Sequence, residues 1–419
     1  MQARMSVLTN VFIYGILMTS KIERRFSMYK RKILWILAYI ALLVLFAGCG
    51  RNEEPSLFQD TLSGVFRATA ITLPAHYGID DVPVYRDGQF MADILYTDEA
   101  QPGLSASYYT DLNRKRISFD EENVTITDVG DTASALREWK FDSVVCTIDD
   151  MYRLTCTVDG TVAAEIDLPD TFHHTLRIDK SGSAPVDAHF SVLQIVCDKA
   201  ENIYVLTTKG VCAVDKNGTL LWVQDTLDRP LALAVTEYGV FLLYDFGGQN
   251  HFRRLEIADG TLGDEVELPT YIASGSGIGS YGNAVSFYPG DTAYDLFAAT
   301  ETGLWGLAFA ADENGRLTCT AKEVANWLNS DLDPSAISQL CVASADLLSI
   351  VYVGDDAKEL LLLMRVPEEE LQSRTVLSLA TLSTDDYNSQ IIRQAIQAFN
   401  KQSTDYRIVV TDFTMYPEE

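Results

Sequence analysis

A glycine-rich run in the sequence has the residue types and spacing of a phosphate-binding loop. The run "GIGSYG" places Gly277, Gly279 and Gly282 in a G-x-G-x-x-G pattern. In dinucleotide-binding proteins such a loop follows a strand and opens a helix, whose N-terminus holds the pyrophosphate. The residues that follow here, "NAVSFY", are strand-like instead. We therefore interpret the run as a glycine-rich loop, and we expect no dinucleotide cofactor.

The histidines have no spacing that favours a metal site. His173 and His174 are adjacent, and adjacent side chains on a strand point to opposite faces, so the two would need a bulge to share one metal. The sequence contains no H-x-H and no H-E-x-x-H motif. The histidines are therefore interpreted as structural or surface residues, at the following positions: His76, His173, His174, His189 and His251.

Paired carboxylates occur at Asp355-Asp356 and Asp385-Asp386, in predicted turns or near a predicted helix start. Two carboxylates can hydrolyse a glycosidic bond when the fold holds them at the required separation, which sequence spacing does not establish. The sequence contains no EF-hand loop, no G-x-S-x-G motif and no phosphate loop. We identify no catalytic constellation and predict that the chain is not an enzyme.

The cysteines show no metal or redox motif, because no two form a C-x-x-C pair. Apart from Cys49, most of them lie in apolar, strand-like runs and are predicted to be buried free thiols. A disulfide between Cys146 and Cys156 across a hairpin stays open as an alternative, since spacing alone does not establish it.

The composition describes an acidic globular protein. The net charge is −27, and seven basic residues lie within the first 32 positions, so the remainder is more acidic still. A polyanion does not neutralise phosphates, which excludes nucleic acid as an expected partner. The apolar fraction of 47% suffices for a sizeable core, and 419 residues allow two or three domains.

The elements that would position any site are mostly short strands. From about Leu57 to Val366, short apolar runs are separated by Asp-Gly and Asn-Gly dipeptides that favour tight hairpins. The clearest unit is "NIYVLTTKGVCAVDKNGTLLWVQD". It predicts strands at 203–207, 210–215 and 220–223.

That unit resembles the blade repeats of PQQ-like and NHL-like propellers, with a glycine turn, an Asn-Gly turn and a tryptophan strand. We predict a mainly β protein with a β-propeller-like domain over residues 61–372. At roughly 40–45 residues per blade, the domain would have about seven blades. A pair of β-sandwiches is the alternative.

The N-terminal region has the three parts of a signal peptide. The stretch "KRKILWILAYIALLVLFAGC" combines basic residues, an apolar run from Ile33 to Phe46 and small residues before Cys49. The apolar run is short for a membrane span. Its ending resembles the lipobox of bacterial lipoproteins, with Phe46 in place of the usual leucine.

The lipobox resemblance implies a cellular location and a lipid anchor. Residues 28–48 would be a lipoprotein signal peptide, and Cys49 would carry palmitate-type acyl chains that insert into membrane lipid. Residues 49–60 would tether the folded body to the outer face of the bacterial cytoplasmic membrane. Residues 1–27 would be an over-long start.

The last part of the sequence predicts a different architecture. "TVLSLATL" at 375–382 reads as a strand of a buried parallel sheet. Apolar residues recur at helical spacing from Ile391 to Phe399, with the helix expected to end near 400–402. "YRIVVTDF" then reads as a second strand, so strand, helix and strand form a right-handed βαβ unit.

The pattern "LSLATL…IIRQAIQAFNKQSTDYRIVVTDF" resembles the start of extracellular solute-binding proteins, the lipid-anchored receptors of ABC importers. The resemblance implies that 375–419 is the truncated start of an α/β module of the periplasmic-binding-protein type. It implies weak ligand contacts at Ser383, Thr384, Asp385 and Asp386. It also implies a small solute, such as a sugar, and an ABC permease as partners.

A lone βαβ unit does not bury both faces of its sheet. This predicts exposure of Leu377, Leu379, Val409 and Val410, at roughly 1.5–3 kcal/mol each relative to burial.

Three functions follow from these observations. The leading hypothesis is a fragment of the membrane-anchored solute-capture component of an ABC transport system. The alternative is a surface propeller lipoprotein that binds protein or glycan and has no transport role. An extracellular propeller enzyme acting on glycans is the third.

Overall fold

The protein is described by a computed structural model over most of its length. The described residues are 64–79, 83–96, 114–128, 137–141, 143–149, 151–175, 190–225, 227–273, 277–278, 285–354, 358–381 and 387–412. They fall into two compact units, one ending at Leu371 and the other beginning at Gln372.

The first unit is a β-propeller, with six antiparallel sheets in the part of the chain that the structure describes. Each sheet is one blade, and its strands lie side by side from the axis of the propeller outwards. Blade 1 holds β2 (Tyr77–Ile79), β3 (Val84–Arg86), β4 (Gln89–Tyr96), β5 (Arg114–Phe119) and β6 (Val124–Asp128). Blade 2 holds β7 (Arg137–Phe141), β8 (Val144–Ile148), β9 (Arg153–Val158) and β10 (Thr161–Asp167). Blade 3 holds β11 (Val192–Cys197), β12 (Ile203–Thr207), β13 (Gly210–Val214) and β14 (Leu220–Gln224).

The remaining blades follow the same plan. Blade 4 holds β15 (Arg229–Thr236), β16 (Gly239–Phe246), β17 (Gln249–Leu255) and β18 (Leu262–Glu265). Blade 5 holds β19 (Ser286–Pro289), β20 (Leu296–Ala299), β21 (Gly303–Ala311) and β22 (Leu317–Asn326). Blade 6 holds β23 (Ile337–Ser344), β24 (Leu347–Val353) and β25 (Lys358–Arg365), and β1 (Phe66–Ile71) is its outer strand. Short helices lie outside the sheets: α1 (Leu168–Thr171), α2 (Thr270–Ala273), a 3-10 turn (Pro334–Ala336) and α3 (Glu368–Leu371).

The ring is closed by joining the two ends of the propeller chain. Strand β1 pairs antiparallel with β25, so Phe66 lies opposite Arg365. The Phe66 amide donates to Ser330 Oγ at 2.9 Å, and the Arg365 guanidinium lies 5.1 Å from the centre of the Phe66 ring. Blade 6 is thus completed by a strand some 300 residues earlier in the chain, which holds the ring together.

The core lies between blades. Strands β12 and β13 are buried along their whole lengths, because each face of the sheet packs on a neighbouring blade. The outer strand β6 is exposed at every position. Between blades 4 and 5, Phe241 lies 5.1 Å from Phe252 and 5.6 Å from Phe309, ring centre to ring centre. Apolar burial of this kind is the main stabilisation of the fold.

The prediction of about seven blades was wrong, since the described sheets make six. The inner strands β7, β11, β15, β19 and β23 are mostly separated by more residues than the 40–45 that the estimate assumed. The connections between blades, some with a short helix, take up the difference. The prediction of a mainly β propeller was correct, and the β-sandwich alternative is excluded by the ring closure.

The second unit is a single strand–helix–strand. Parallel strands β26 (Thr375–Thr381) and β27 (Tyr406–Asp412) flank α4 (Tyr387–Gln402). The Asn400 side chain fixes the return of the chain: its Nδ2 donates to Ile408 O at 2.9 Å, and its Oδ1 accepts from Ile408 N at 2.8 Å.

The prediction that this unit leaves its sheet exposed was wrong. Val409 is 1% exposed, Val410 5% and Leu379 9%, while Leu377 is half-buried. Ile408, at 3% exposed, is buried as well. Because successive strand side chains point to opposite faces, both faces of β27 are covered.

No helix among the described residues is long and apolar enough to span a membrane.

Candidate functional site

The residues proposed from the sequence as lipid or ligand contacts lie outside the described residues. These are Cys49, Ser383, Thr384, Asp385 and Asp386. Of the glycine-rich run, Gly277 is described, and a strand, β19, follows as expected.

The described histidines are dispersed. His173 and His174 do not lie on a strand but follow α1, where their amides donate to Asp170 O and Pro169 O. The His174 ring stacks on Phe190 at 5.4 Å between ring centres. Among the residues that the structure describes, no three His, Cys, Asp or Glu side chains are placed to hold a metal ion.

A cleft of about 400 Å³ lies between blades 2 and 3 and is called the blade 2–3 cleft here. The lining residues are Ser143, Val158, Asp159, Ala163, Glu201, Lys216 and Asn217.

Hairpin turns of the two blades position the lining. Ser143 lies between β7 and β8, and Asp159 turns β9 into β10. Glu201 lies between β11 and β12, while Lys216 and Asn217 connect β13 to β14. In a four-stranded antiparallel blade, the first and third turns lie at the same end of the strands. All these side chains therefore lie at the same end of the propeller axis.

Two aspartates build the blade 3 turns from their own side chains. Asp198 Oδ1 accepts from the amides of Ala200 at 2.8 Å and Asn202 at 2.9 Å. Asp215 Oδ1 accepts from the amides of Asn217 at 2.9 Å and Thr219 at 2.7 Å. The hydrogen bonds to Asp215 hold the pKa of its carboxyl below the usual range, and the bond from the Thr219 amide is the largest cause. Such Asx turns are the preferred use of Asp in tight loops.

Glu201 is the centre of the polar wall and links the two blades. Its Oε1 accepts from Ser143 Oγ at 2.5 Å, and Lys216 Nζ lies 3.8 Å from its Oε2. Its backbone is left-handed, with φ of +64°. The Glu201 side chain is 26% exposed, so part of it faces solvent.

The two blades approach each other closely where Gly218 meets Ala164, next to the lining residues Asn217 and Ala163. A Cβ added at Gly218 would lie 1.9 Å from the Cβ of Ala164, and the backbone there has φ of +81°. Only glycine satisfies both constraints. A β-bulge between Val162 and Ala164 makes Ala163 the extra residue of β10 and places it in the lining.

An exposed aromatic group lies at the opposite end of the propeller axis, in the turn between β16 and β17. The Phe246 side chain is 62% exposed, and its ring centre is 6.4 Å from that of His251. His251 stacks on Tyr244 at 5.5 Å, and its Nδ1 is 2.9 Å from Glu265 Oε1.

Sequence reasoning did not identify the blade 2–3 cleft. Ser143 and Glu201 are 58 positions apart and belong to no motif. The one available signal was the Asp-x-x-Gly turn chemistry around Asp215 and Gly218, which predicts the turn but not its neighbour.

No family model and no curated protein matches the chain. Among solved structures, a protein titled a putative gluconolactonase is 11% identical, with a TM-score of 0.40, and the match covers 75% of this chain and 97% of that one. A gluconolactonase from Xanthomonas campestris is 12% identical, with a TM-score of 0.34, covering 73% and 89%. A calcium-binding protein, regucalcin, from Agrobacterium tumefaciens is 14% identical, with a TM-score of 0.37, covering 73% and 97%. At this identity and TM-score, these names carry no information about the ligand of this chain.

The prediction that the chain is the solute-capture component of an ABC importer was wrong. Six antiparallel sheets of a propeller make up most of the described chain, and this is not the two-lobed α/β fold of a solute-binding protein. The α/β part of the described chain is one helix on a two-stranded sheet. A capture module needs two lobes around a cleft, and the described second unit has neither. The resemblance of 375–419 to the start of such a module stays a resemblance.

Proposed function

We propose that this chain is a surface propeller that binds a carbohydrate in the blade 2–3 cleft, with no transport and no catalytic role. The observation that carries this proposal is the charged pair at the centre of an open, concave polar wall. Glu201 and Lys216 place an acceptor and a donor 3.8 Å apart, and Ser143 orients the carboxylate from the neighbouring blade.

The chemistry of the lining suits a polyhydroxylated ligand. Carboxylates at Glu201 and Asp159 accept hydrogen bonds from hydroxyl groups, whereas Lys216 donates to them. Hydrogen bonds to charged groups are stronger than neutral ones, which favours a ligand that offers both donors and acceptors. The apolar portion at Val158 and Ala163 suits the C–H face of a sugar ring.

A carbohydrate suits the cleft better than a protein partner does. The cleft volume of about 400 Å³ falls in the range of small-ligand pockets. A stable protein interface needs roughly 800 Å² on each side and has a flat, largely apolar centre. The two acidic groups in the lining also oppose a phosphate or other anion.

The absence of catalysis and the membrane anchor belong to the same proposal. Glu201 is held by both Ser143 and Lys216, which suits a fixed hydrogen-bond acceptor better than a group that must exchange protons.

Lipidation of Cys49 would hold the propeller at the outer face of the membrane, where polysaccharides are accessible.

A glycan array with the full chain tests the proposal, followed by calorimetry and product analysis on each ligand found. We expect binding that Glu201→Gln weakens and that Phe246→Ala leaves unchanged. If Phe246→Ala abolished binding and Glu201→Gln retained it, the binding site would lie at the β16–β17 turn that holds Phe246. Cleavage of a bound glycan would refute the non-catalytic role, and an array without binding, with capture of a protein instead, would refute the carbohydrate.

A further inference from the structure

Two cysteines face each other inside blade 2. Cys146 on β8 is directly opposite Cys156 on β9, in a register without shifts. Both side chains are completely buried, at 0% exposure, in the core between blades 2 and 3. Both are free thiols, and their Sγ atoms are 3.8 Å apart.

The hydrogen-bond pattern of the hairpin shows whether Cys146 and Cys156 form a hydrogen-bonded or a non-hydrogen-bonded pair of the ladder. The Asp159 amide donates to Ser143 O at 3.2 Å, and the Asp149 amide donates to Arg153 O at 3.2 Å. Hydrogen-bonded and non-hydrogen-bonded pairs alternate along an antiparallel ladder. Counting inward from either end, Cys146 and Cys156 form a non-hydrogen-bonded pair.

Non-hydrogen-bonded pairs have the closer side chains, with Cα atoms about 4.5 Å apart. A disulfide requires Cα atoms roughly 4.4–6.8 Å apart and Cβ atoms about 3.5–4.5 Å apart. The backbone of this pair therefore lies within disulfide range, and rotation of the side chains suffices to bring the sulfurs to bonding distance.

We propose that Cys146 and Cys156 are a disulfide-forming site, oxidised across the β8–β9 hairpin by a disulfide-bearing oxidant, either a small disulfide or a protein disulfide. One thiolate attacks the oxidant and breaks its S–S bond, which gives a mixed disulfide and one reduced thiol. The second cysteine then attacks its neighbour and releases the second reduced thiol. The two cysteines lose two electrons and two protons, and the oxidant takes up both.

The two thiols contact each other in the folded blade, and either one can donate the hydrogen bond that joins their sulfurs. The thiolate is the nucleophile in each step of the exchange. Both sulfurs are buried in the folded blade, so this reaction belongs to the forming hairpin, before blade 3 covers it.

Cys212 is the matched control. It is also 0% exposed and belongs to the same core cluster, but the residues opposite it are Val205 and Val223. If burial alone decided oxidation, all three cysteines would behave alike. We expect instead a disulfide between Cys146 and Cys156 and a free thiol at Cys212.

Refolding of the reduced full chain in a buffer of oxidised and reduced glutathione tests the proposal. After denaturation, free thiols are alkylated and the peptides are mapped by mass spectrometry. We expect a peptide pair joined through Cys146 and Cys156, with Cys212 alkylated. Cys212→Ser should keep the cross-link, and Cys146→Ser and Cys156→Ser should each lose it.

The wild-type map alone decides the proposal if a serine variant fails to fold. Full alkylation of Cys146 and Cys156 after refolding under oxidised glutathione would overturn the proposal, as would a cross-link to Cys212. A second readout is thermal unfolding: reductant should lower the midpoint of the oxidised wild type and leave that of the double variant Cys146→Ala, Cys156→Ala unchanged. An equal shift in both would also overturn it.

Discussion

Ser143 in blade 2 donates a 2.5 Å hydrogen bond to the carboxylate of Glu201 in blade 3. One wall of the cleft is therefore built across a blade boundary, and neither blade has it alone. The bond also fixes the carboxylate at one end, which leaves the other oxygen beside Lys216, 3.8 Å away.

Glu201→Gln should weaken carbohydrate binding by roughly tenfold to a hundredfold. Glutamine keeps the shape and an acceptor for Ser143, but it removes the charge, and a hydrogen bond to a charged group contributes about 1.5–3 kcal/mol. Titration calorimetry of the full chain measures the change. Glu313→Gln is the matched control, since Glu313 is an exposed glutamate in a hairpin turn of blade 5. Equal losses in both variants would count against the cleft.

Gly218→Ala should destabilise the propeller more than Gly315→Ala does. Both glycines end a D-x-N-G turn between the third and fourth strands of a blade, with φ of +81° and +79°. A Cβ at Gly315 would meet nothing within 4 Å, whereas one at Gly218 would lie 1.9 Å from Ala164 Cβ. We expect about 1 kcal/mol from the backbone strain in each, and a further ~1–3 kcal/mol from overpacking at Gly218 alone.

Urea unfolding of the two glycine variants, followed by tryptophan fluorescence, gives this comparison. Similar losses of unfolding free energy would mean that the blades do not meet at Gly218 as described.

The turn at Asp215 should make the protein sensitive to acid. Its folded pKa lies below that of an unfolded aspartate, so its contribution to stability is complete above about pH 4 and is lost as the pH falls through the folded value. Asp215→Asn keeps the turn-forming side chain but does not titrate. The stability difference between wild type and Asp215→Asn should therefore shrink on acidification. A difference that is constant between neutral and acidic pH would contradict this assignment.

Phe66→Ala should open the ring closure and cost about 3–5 kcal/mol, the usual effect of removing a buried phenylalanine. Phe66 is 2% exposed and lies under the Arg365 guanidinium at the junction of β1 and β25. Phe246→Ala is the control, since its 62% exposed ring should change stability by no more than about 0.5 kcal/mol. Thermal unfolding by circular dichroism measures both. Comparable midpoints would show that β1 does not close the propeller.

Cys49→Ser should release the protein from the membrane fraction of a bacterial host or leave an unprocessed precursor. The reason is that lipidation requires the cysteine sulfur at the end of the lipobox-like segment. Fractionation and immunoblotting of the full chain check this, with Cys319→Ser as the control cysteine. Membrane association that is unchanged in Cys49→Ser would refute the anchor.

The sequence was most informative where structure is local. The strands predicted at 203–207, 210–215 and 220–223 agree with β12, β13 and β14 to within one residue at each end. The terminal strand, helix and strand agree with β26, α4 and β27. In these segments the apolar periodicity and the turn residues both indicate the same element, so propensity and burial agree. The resemblance that was built on the terminal segment led to the wrong function, because fold signals in a short segment do not identify an activity.

The number of blades, the closure and the cleft were decided by the tertiary structure. Sequence periodicity determines that strands and hairpins form, and turn chemistry at Asp215 and Gly218 determines their local path. It does not determine how many blades complete a circle, because the connections between blades vary in length. Nor does it bring Ser143 to Glu201, or β1 to β25 across the chain. Those contacts depend on which apolar faces pack together when six blades surround one axis, and that is a property of the whole ring.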